Sequence, residues 1–301
     1  MTDARIRVVT DSTCDLSKEE VEALGVTMVP LSVSFGPEVF YDGELSKDEY
    51  WEKAKGPYWP QTSQPPAGAF EEAFARHVDA GHEVVCVTLL SHYSGAYSTA
   101  CAVARTFGDR VSVIDSGTVS IGLGWQAIAA AEASAAGMER EAIVRLVKDI
   151  SHRTRFFAVL DTIENVQKGG RLAKLMPLMA RMMRVFDVRL VLVMARGDLS
   201  LVGAARSYEG AVARARDEAL ALAPLEKIAV FHTRAPERAS LLADTLAEMS
   251  GLARDGIRVV EGGPVLACHA GPKVMGVFAL SKSPPAHEVG WMARGSGNRG
   301  S

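Results

Sequence analysis

Val84-Val85-Cys86-Val87-Thr88-Leu89-Leu90, followed at once by Ser91-His92-Tyr93-Ser94-Gly95-Ala96-Tyr97-Ser98-Thr99-Ala100, is the stretch on which the fold turns. The first seven residues form a continuous apolar run of the length of a buried strand. From Ala100 to Phe107 the chain is rich in Ala, with apolar residues at helical spacing. Between the two lies a strand-to-helix turn carrying hydroxyls and a glycine. A helix that starts there exposes unpaired N–H groups and the positive end of its dipole, a setting that suits a phosphate or carboxylate. The plainer reading is that Ser94 or Ser98 only caps the helix.

The same pattern recurs on either side. Arg5 to Thr10 reads as a strand ending in Asp11-Ser12-Thr13-Cys14-Asp15. Ser17 and Ser46, each with Glu three residues on, open helices with capping boxes. Thr27 to Ser34 reads as a second strand, and Thr62-Ser63-Gln64-Pro65-Pro66 as a hydroxyl-rich turn before a helix over 67–80. Val111 to Ile114 is a strand ending in Asp115-Ser116-Gly117-Thr118, before a long Ala-rich helix. Strands that end in polar turns and lead into helices predict β-α units around a mainly parallel sheet. Ligands of such sheets sit in the loops at the carboxyl ends of strands.

A helix over 139–151 closes this half, and Phe156 to Leu160 begins a second strand series. The expected domains are 1–152 and 153–283, each α/β, with 284–301 a disordered tail. Asp161 to Gln167 reads as a short helix. The run from Leu172 to Phe186 is rich in Leu and Met, which suits ordinary core packing or an adaptable wall. Arg196-Gly197-Asp198 reads as a hairpin turn. Strands near 189–194, 199–202, 227–232, 257–260 and 274–280 alternate with helices over 208–223 and 236–249. His269, in Gly263-Pro264-Val265-Leu266-Ala267-Cys268-His269-Ala270-Gly271-Pro272, stands between a strand-like segment and a Gly-Pro turn. It can project into a cleft or serve the packing.

Composition narrows the function. The 301 residues carry a formal net charge of −3, which gives no reason to expect nucleic acid as a partner. Cys14, Cys86, Cys101 and Cys268 are scattered, as expected of reduced thiols in a cytoplasmic protein. No signal peptide is expected, and the Ala-rich run over 121–137 is too short to span a bilayer and contains Glu132. The dinucleotide fingerprint, the P-loop and the Gly-x-Ser-x-Gly elbow are all missing. The His residues show no metal-ligand spacing, so neither a metal nor a cofactor is expected.

Six short motifs, in order, resemble the DegV family of bacterial fatty-acid-binding proteins. They are Thr10-Asp11-Ser12-Thr13-Cys14-Asp15-Leu16, Thr62-Ser63-Gln64-Pro65, Ser91-x-x-Ser94-Gly95-x-Tyr97, Ile114-Asp115-Ser116, Lys168-Gly169-Gly170-Arg171-Leu172, and the Gly263 to Pro272 segment. The resemblance spans about residues 7–280. It implies two α/β domains with a lipid site between them, one long-chain fatty acid such as palmitate as ligand, and no catalytic residue. It assigns the carboxylate to the hydroxyls of Thr62 and Ser94, the turn at Gly95 and the imidazole of His269. These are sound choices, because hydroxyls and imidazole donate to carboxylate oxygens. Arg171 belongs to a matching motif, but its role stays open.

The resemblance also makes Leu175 to Phe186 an acyl-chain wall. Burying roughly 14 methylenes at ~0.8 kcal/mol each is worth on the order of 11 kcal/mol before association costs. A separate ATP-dependent fatty acid kinase would then phosphorylate the carboxylate for phospholipid synthesis, with transient membrane contact allowed. The chain departs from the family where a Lys-Pro pair often precedes the strand at Val188-Arg189-Leu190-Val191, where a more basic segment often replaces Gly203 to Glu209, and at Pro66 and Tyr93 beside the head-group turns. Two other functions compete with the carrier. One is a lipid or ester hydrolase using Ser94, His269 and Asp11 or Asp115. The other is a lipid-responsive regulatory protein.

Overall fold

The computed structural model describes residues 5–160, Asn165, Lys168 and residues 188–285. The expectations for the short helix at 161–167, for the Lys168 to Leu172 motif beyond Lys168 itself, for the Met-rich run and for the tail beyond 285 lie outside these residues.

The chain divides into two units, Met1–His152 with Gly263–Cys268, and Arg153–Gly262 with His269–Ser301. The first is built on a four-stranded parallel sheet, order β2-β1-β6-β7. These strands are β1 (Ile6–Asp11), β2 (Thr27–Val29), β6 (Glu83–Thr88) and β7 (Val111–Asp115). The apolar run of β6 is central, and Val84, Val85, Cys86 and Val87 are fully buried. That is why it shows no alternation: both faces are covered. Helices α1 (Lys18–Leu24) and α2 (Lys47–Lys53) open with the capping boxes expected of Ser17 and Ser46. The unit also holds α3 (Ala67–Asp79), α4 (Ala96–Ala104), α5 (Ser120–Ala135) and α6 (Arg140–Arg153). Helix α4 starts four residues earlier than its Ala-rich run suggests.

The expected single strand over 27–34 is two. Pro30 follows β2, and the chain restarts as β3 (Ser32–Phe35) in another sheet. Proline has no N–H to donate to a ladder, so it marks the exchange. The second sheet is small and antiparallel, order β4-β3-β5, with β4 (Glu38–Tyr41) and β5 (Gln61–Ser63). The segment 61–63 is therefore a strand where a turn was expected, and Pro66 caps α3 from outside its first turn.

The second unit carries a six-stranded sheet, order β10-β9-β8-β13-β11-β12. Its strands are β8 (Thr154–Val159), β9 (Arg189–Ala195), β10 (Asp198–Ala205), β11 (Leu225–His232), β12 (Arg258–Glu261) and β13 (Met275–Ser281). Only β11 and β12 run parallel. The turn from β9 to β10 places Arg196 at φ 50° and Gly197 at φ 86°, the double positive φ of a tight hairpin. Helices α7 (Tyr208–Leu220) and α8 (Pro236–Ser250) cover one face, where Ala211, Ala215, Ala239 and Leu246 meet Phe157, Val191, Val230 and Val277. On the alternate positions Phe156 stacks on Phe278, with ring centroids 4.0 Å apart. Helix α9 (Pro264–Ala270), whose residues through Cys268 belong to the first unit, replaces the strand-like segment expected before His269.

Candidate functional site

Ser94 stands at the carboxyl end of the central strand β6, just ahead of α4. Its Oγ accepts the Ala96 N–H at 3.2 Å, so it does cap the helix, with Gly95 as the boundary residue. No acceptor for its hydroxyl hydrogen stands among the described residues. Ser98 turns back, donating to the Gly95 carbonyl at 2.9 Å.

Thr62 is the middle residue of β5, paired with Val33, which in turn pairs with Phe40 of β4. Strand alternation puts Thr62 on the face of Val33, the face that packs with Phe35, Tyr50, Ala267 and Cys268. Cys268 Sγ lies 3.2 Å from the Pro60 carbonyl, so α9 is fastened two residues before Thr62. His269 follows Cys268 directly on the last turn of this helix. The contact of β5's approach with Cys268 lies within the first unit, while His269 belongs to the second.

Gln64 joins the second motif to the third. Its Nε2 donates to Thr99 Oγ1 at 2.6 Å, and its side chain fills the space beside Gly95. Asp15, held in the left-handed region at φ 50°, joins the first motif to the last. Its Oδ1 accepts the Gly263 N–H at 3.1 Å and its Oδ2 accepts Ser120 Oγ–H at 2.5 Å. Hydrogen bonds thus join the first motif to the last, and the second motif to the helix that follows the third.

Asp11 and Asp115 take backbone amides. Asp11 Oδ2 accepts from Leu89 N–H at 2.6 Å, while its Oδ1 accepts from Thr13 N–H and Thr13 Oγ–H. Asp115 accepts from Ser91 and Gly117 N–H groups. Among the described residues, neither carboxylate accepts an imidazole N–H.

The electrostatics follow from burial. Complete burial lifts the Asp11 carboxyl to about 6, against the hydrogen bonds from Thr13 and Leu89 that hold it down. Burial lifts Asp42 to about 7, opposed by a hydrogen bond from Ser12 and reinforced by the charges of Asp15 and Asp11. The Cys14 thiol is pushed up to about 12 by burial, and Cys86 also lies well above its ordinary value. These thiols are packing groups, not nucleophiles. None of the four cysteines forms a disulfide. Among the described residues no group of acidic, His or Cys side chains forms a metal site, and no helix is long and apolar enough to cross a membrane.

Sequence reasoning picked out Thr62, Ser94, Gly95 and His269 but gave Gln64 no part. It places Asp11 and Asp115 in family motifs and as candidate partners for a histidine, but not as acceptors for the amides that follow β6. The signal for the aspartates was present as an echo: Thr10-Asp11-Ser12 and Ile114-Asp115-Ser116 both pair Asp with Ser at a strand's end.

Comparison with known proteins agrees with this architecture. A family model described as "Uncharacterised protein, DegV family" matches residues 5–282. A DegV domain-containing protein of Streptomyces coelicolor is 32% identical over 284 residues, covering 92% of this chain and 99% of its own. A Thermus thermophilus structure described as fatty acid binding of a DegV family protein superimposes with a TM-score of 0.81 at 26% identity, covering 92% of this chain and 99% of its own. A fatty acid (stearic acid)-binding protein from Eubacterium ventriosum has a TM-score of 0.80 at 25% identity, covering 91% and 98%.

Proposed function

The chain belongs to the DegV family, and on that premise we propose that it binds one long-chain fatty acid and presents it to a separate ATP-dependent fatty acid kinase. Thr62, Ser94 and His269 hold the carboxylate, and the N-terminus of α4 at Gly95 adds its dipole. The observation that carries this reading is the interlocking of the motif segments. Gln64 ties the Thr62 strand to the Ser94 turn, and the Cys268–Pro60 contact ties the same strand to the helix bearing His269. The Ser94 hydroxyl hydrogen, which has no acceptor among the described residues, is a donor that a carboxylate oxygen accepts.

On this reading the bound carboxylate is the reacting group. The chain's own side chains orient it and leave the phosphoryl transfer to the kinase. The carrier sits in the cytoplasm and meets the membrane transiently. The relatives' described ligands, fatty acids including stearic acid, support the same class here.

The test is native mass spectrometry of protein purified without added lipid, with extraction of whatever it carries. One fatty acid per chain is the expected result, gaining the mass of one phosphoryl group as it becomes acyl-phosphate once kinase and ATP are supplied. A protein that arrives empty and refuses added fatty acids overturns the reading.

A further inference from the structure

Strand β6 is flanked by β1 and β7, and each neighbour ends in an aspartate that reaches over to the loop leaving β6. The first three amides past the strand all have fixed acceptors. Leu89 N–H donates to Asp11 Oδ2 at 2.6 Å and Leu90 N–H to the Thr118 carbonyl at 3.0 Å. Ser91 N lies 3.2 Å from both carboxylate oxygens of Asp115. Each carboxylate is held in turn by its own loop, Asp11 by Thr13 and Asp115 by Gly117 N–H at 2.9 Å. Ser94 follows Ser91 by three residues, and α4 begins right after it.

We propose that Asp115, seconded by Asp11, is a positioning residue of the carboxylate site: it sets where the Ser94 hydroxyl and the N-terminus of α4 stand, and does not itself touch the ligand. This rests on the fatty-acid reading above. A carboxylate suits the role because it accepts at both oxygens, and three N···O contacts converge on it. An asparagine accepts at one oxygen only and turns an N–H toward an N–H. Asp115 is half-buried at a strand end, so its replacement leaves the core of β6 intact.

The experiment measures binding of stearate and of methyl stearate, each presented from phosphatidylcholine vesicles, to the wild type, Asp115→Ala and Asp115→Asn. Asp115→Ala is expected to lose about tenfold in stearate affinity, the scale of one charge-assisted hydrogen bond, with Asp115→Asn intermediate. Methyl stearate, which lacks the charged head, is expected to change by less than about twofold, and Tm to stay within about 2 °C. A loss shared equally by acid and ester, or no loss in either variant, overturns the positioning role while leaving the fatty-acid reading intact. Failure of the wild type to take up stearate overturns that reading and the inference with it.

Discussion

The side chain of Gln64 occupies the space that a side chain at position 95 would need. A Cβ on Gly95 would overlap Gln64 Oε1 and come within 2.7 Å of its Cδ. The glycine's φ is −80°, so close approach, not backbone freedom, selects it. Two motifs whose contacting residues, Gln64 and Gly95, are 31 positions apart thus meet at one contact, beside the hydroxyls proposed to hold the carboxylate.

Gly95→Ala is expected to push Gln64 off Thr99 Oγ1 and to weaken fatty acid binding several-fold. Because the displaced group is the exposed end of a flexible side chain, the loss in stability is held to about 1 kcal/mol. A double-mutant cycle with Gln64→Ala checks it: the alanine at 95 should cost less binding once Gln64 is gone. Additive losses would mean that the contact carries no coupling.

Removing both head-group hydroxyls, with Ser94→Ala and Thr62→Ala together, should lower fatty acid affinity by roughly tenfold or more. The Ala96 N–H loses one acceptor, so the helix start weakens by about 1 kcal/mol and the fold persists. Circular dichroism and a lipid displacement titration separate the two effects. Wild-type retention in the double variant would remove these residues from the site.

Asp42 gives a pH signature. Its carboxyl titrates near 7 in the folded chain because burial disfavours its charge, against 3.8 for the ordinary group. A proton bound more tightly when folded than when unfolded makes stability fall as pH rises from about 4 through 7. Asp42→Asn keeps an oxygen for Ser12 and has no charge to bury. Its gain over the wild type in urea unfolding should be larger at pH 8 than at pH 5, by on the order of 2 kcal/mol. An equal difference at the two pH values would show that Asp42 is already solvated.

In the second unit Gly276 lies under Phe156 and Phe157. A Cβ there would overlap the Phe156 ring and approach the Phe157 carbonyl oxygen at 2.8 Å, one of them backbone. Gly276→Ala should cost about 1–3 kcal/mol by overpacking, read as a lower urea midpoint at unchanged slope. Gly276→Ala combined with Phe156→Leu is expected to regain part of that loss.

The amino-acid sequence alone determined what is local. Apolar runs gave β1, β6 and β7, Ser-Glu pairs gave the starts of α1 and α2, and Arg196-Gly197 gave a hairpin, because each is dictated by burial, capping or φ within a few residues. The same locality shows hydroxyls at Thr62 and Ser94, while their assignment to a carboxylate comes from the family resemblance. Tertiary structure decided what depends on partners far along the chain. Pro30 could mark a break but not send β3 into a different sheet, and Thr62-Ser63 looks like a turn until Val33 pairs with it. The segment at 264–270 is helical because its residues Ala267 and Cys268 pack on Val33, Phe35 and Tyr50, a surface about 220 residues away in the chain. Asp11 and Asp115 show the limit most clearly: the residues themselves say only that a carboxylate ends each strand. That both reach amides of the loop leaving the strand between them follows from the order β1-β6-β7, which only the folded sheet sets.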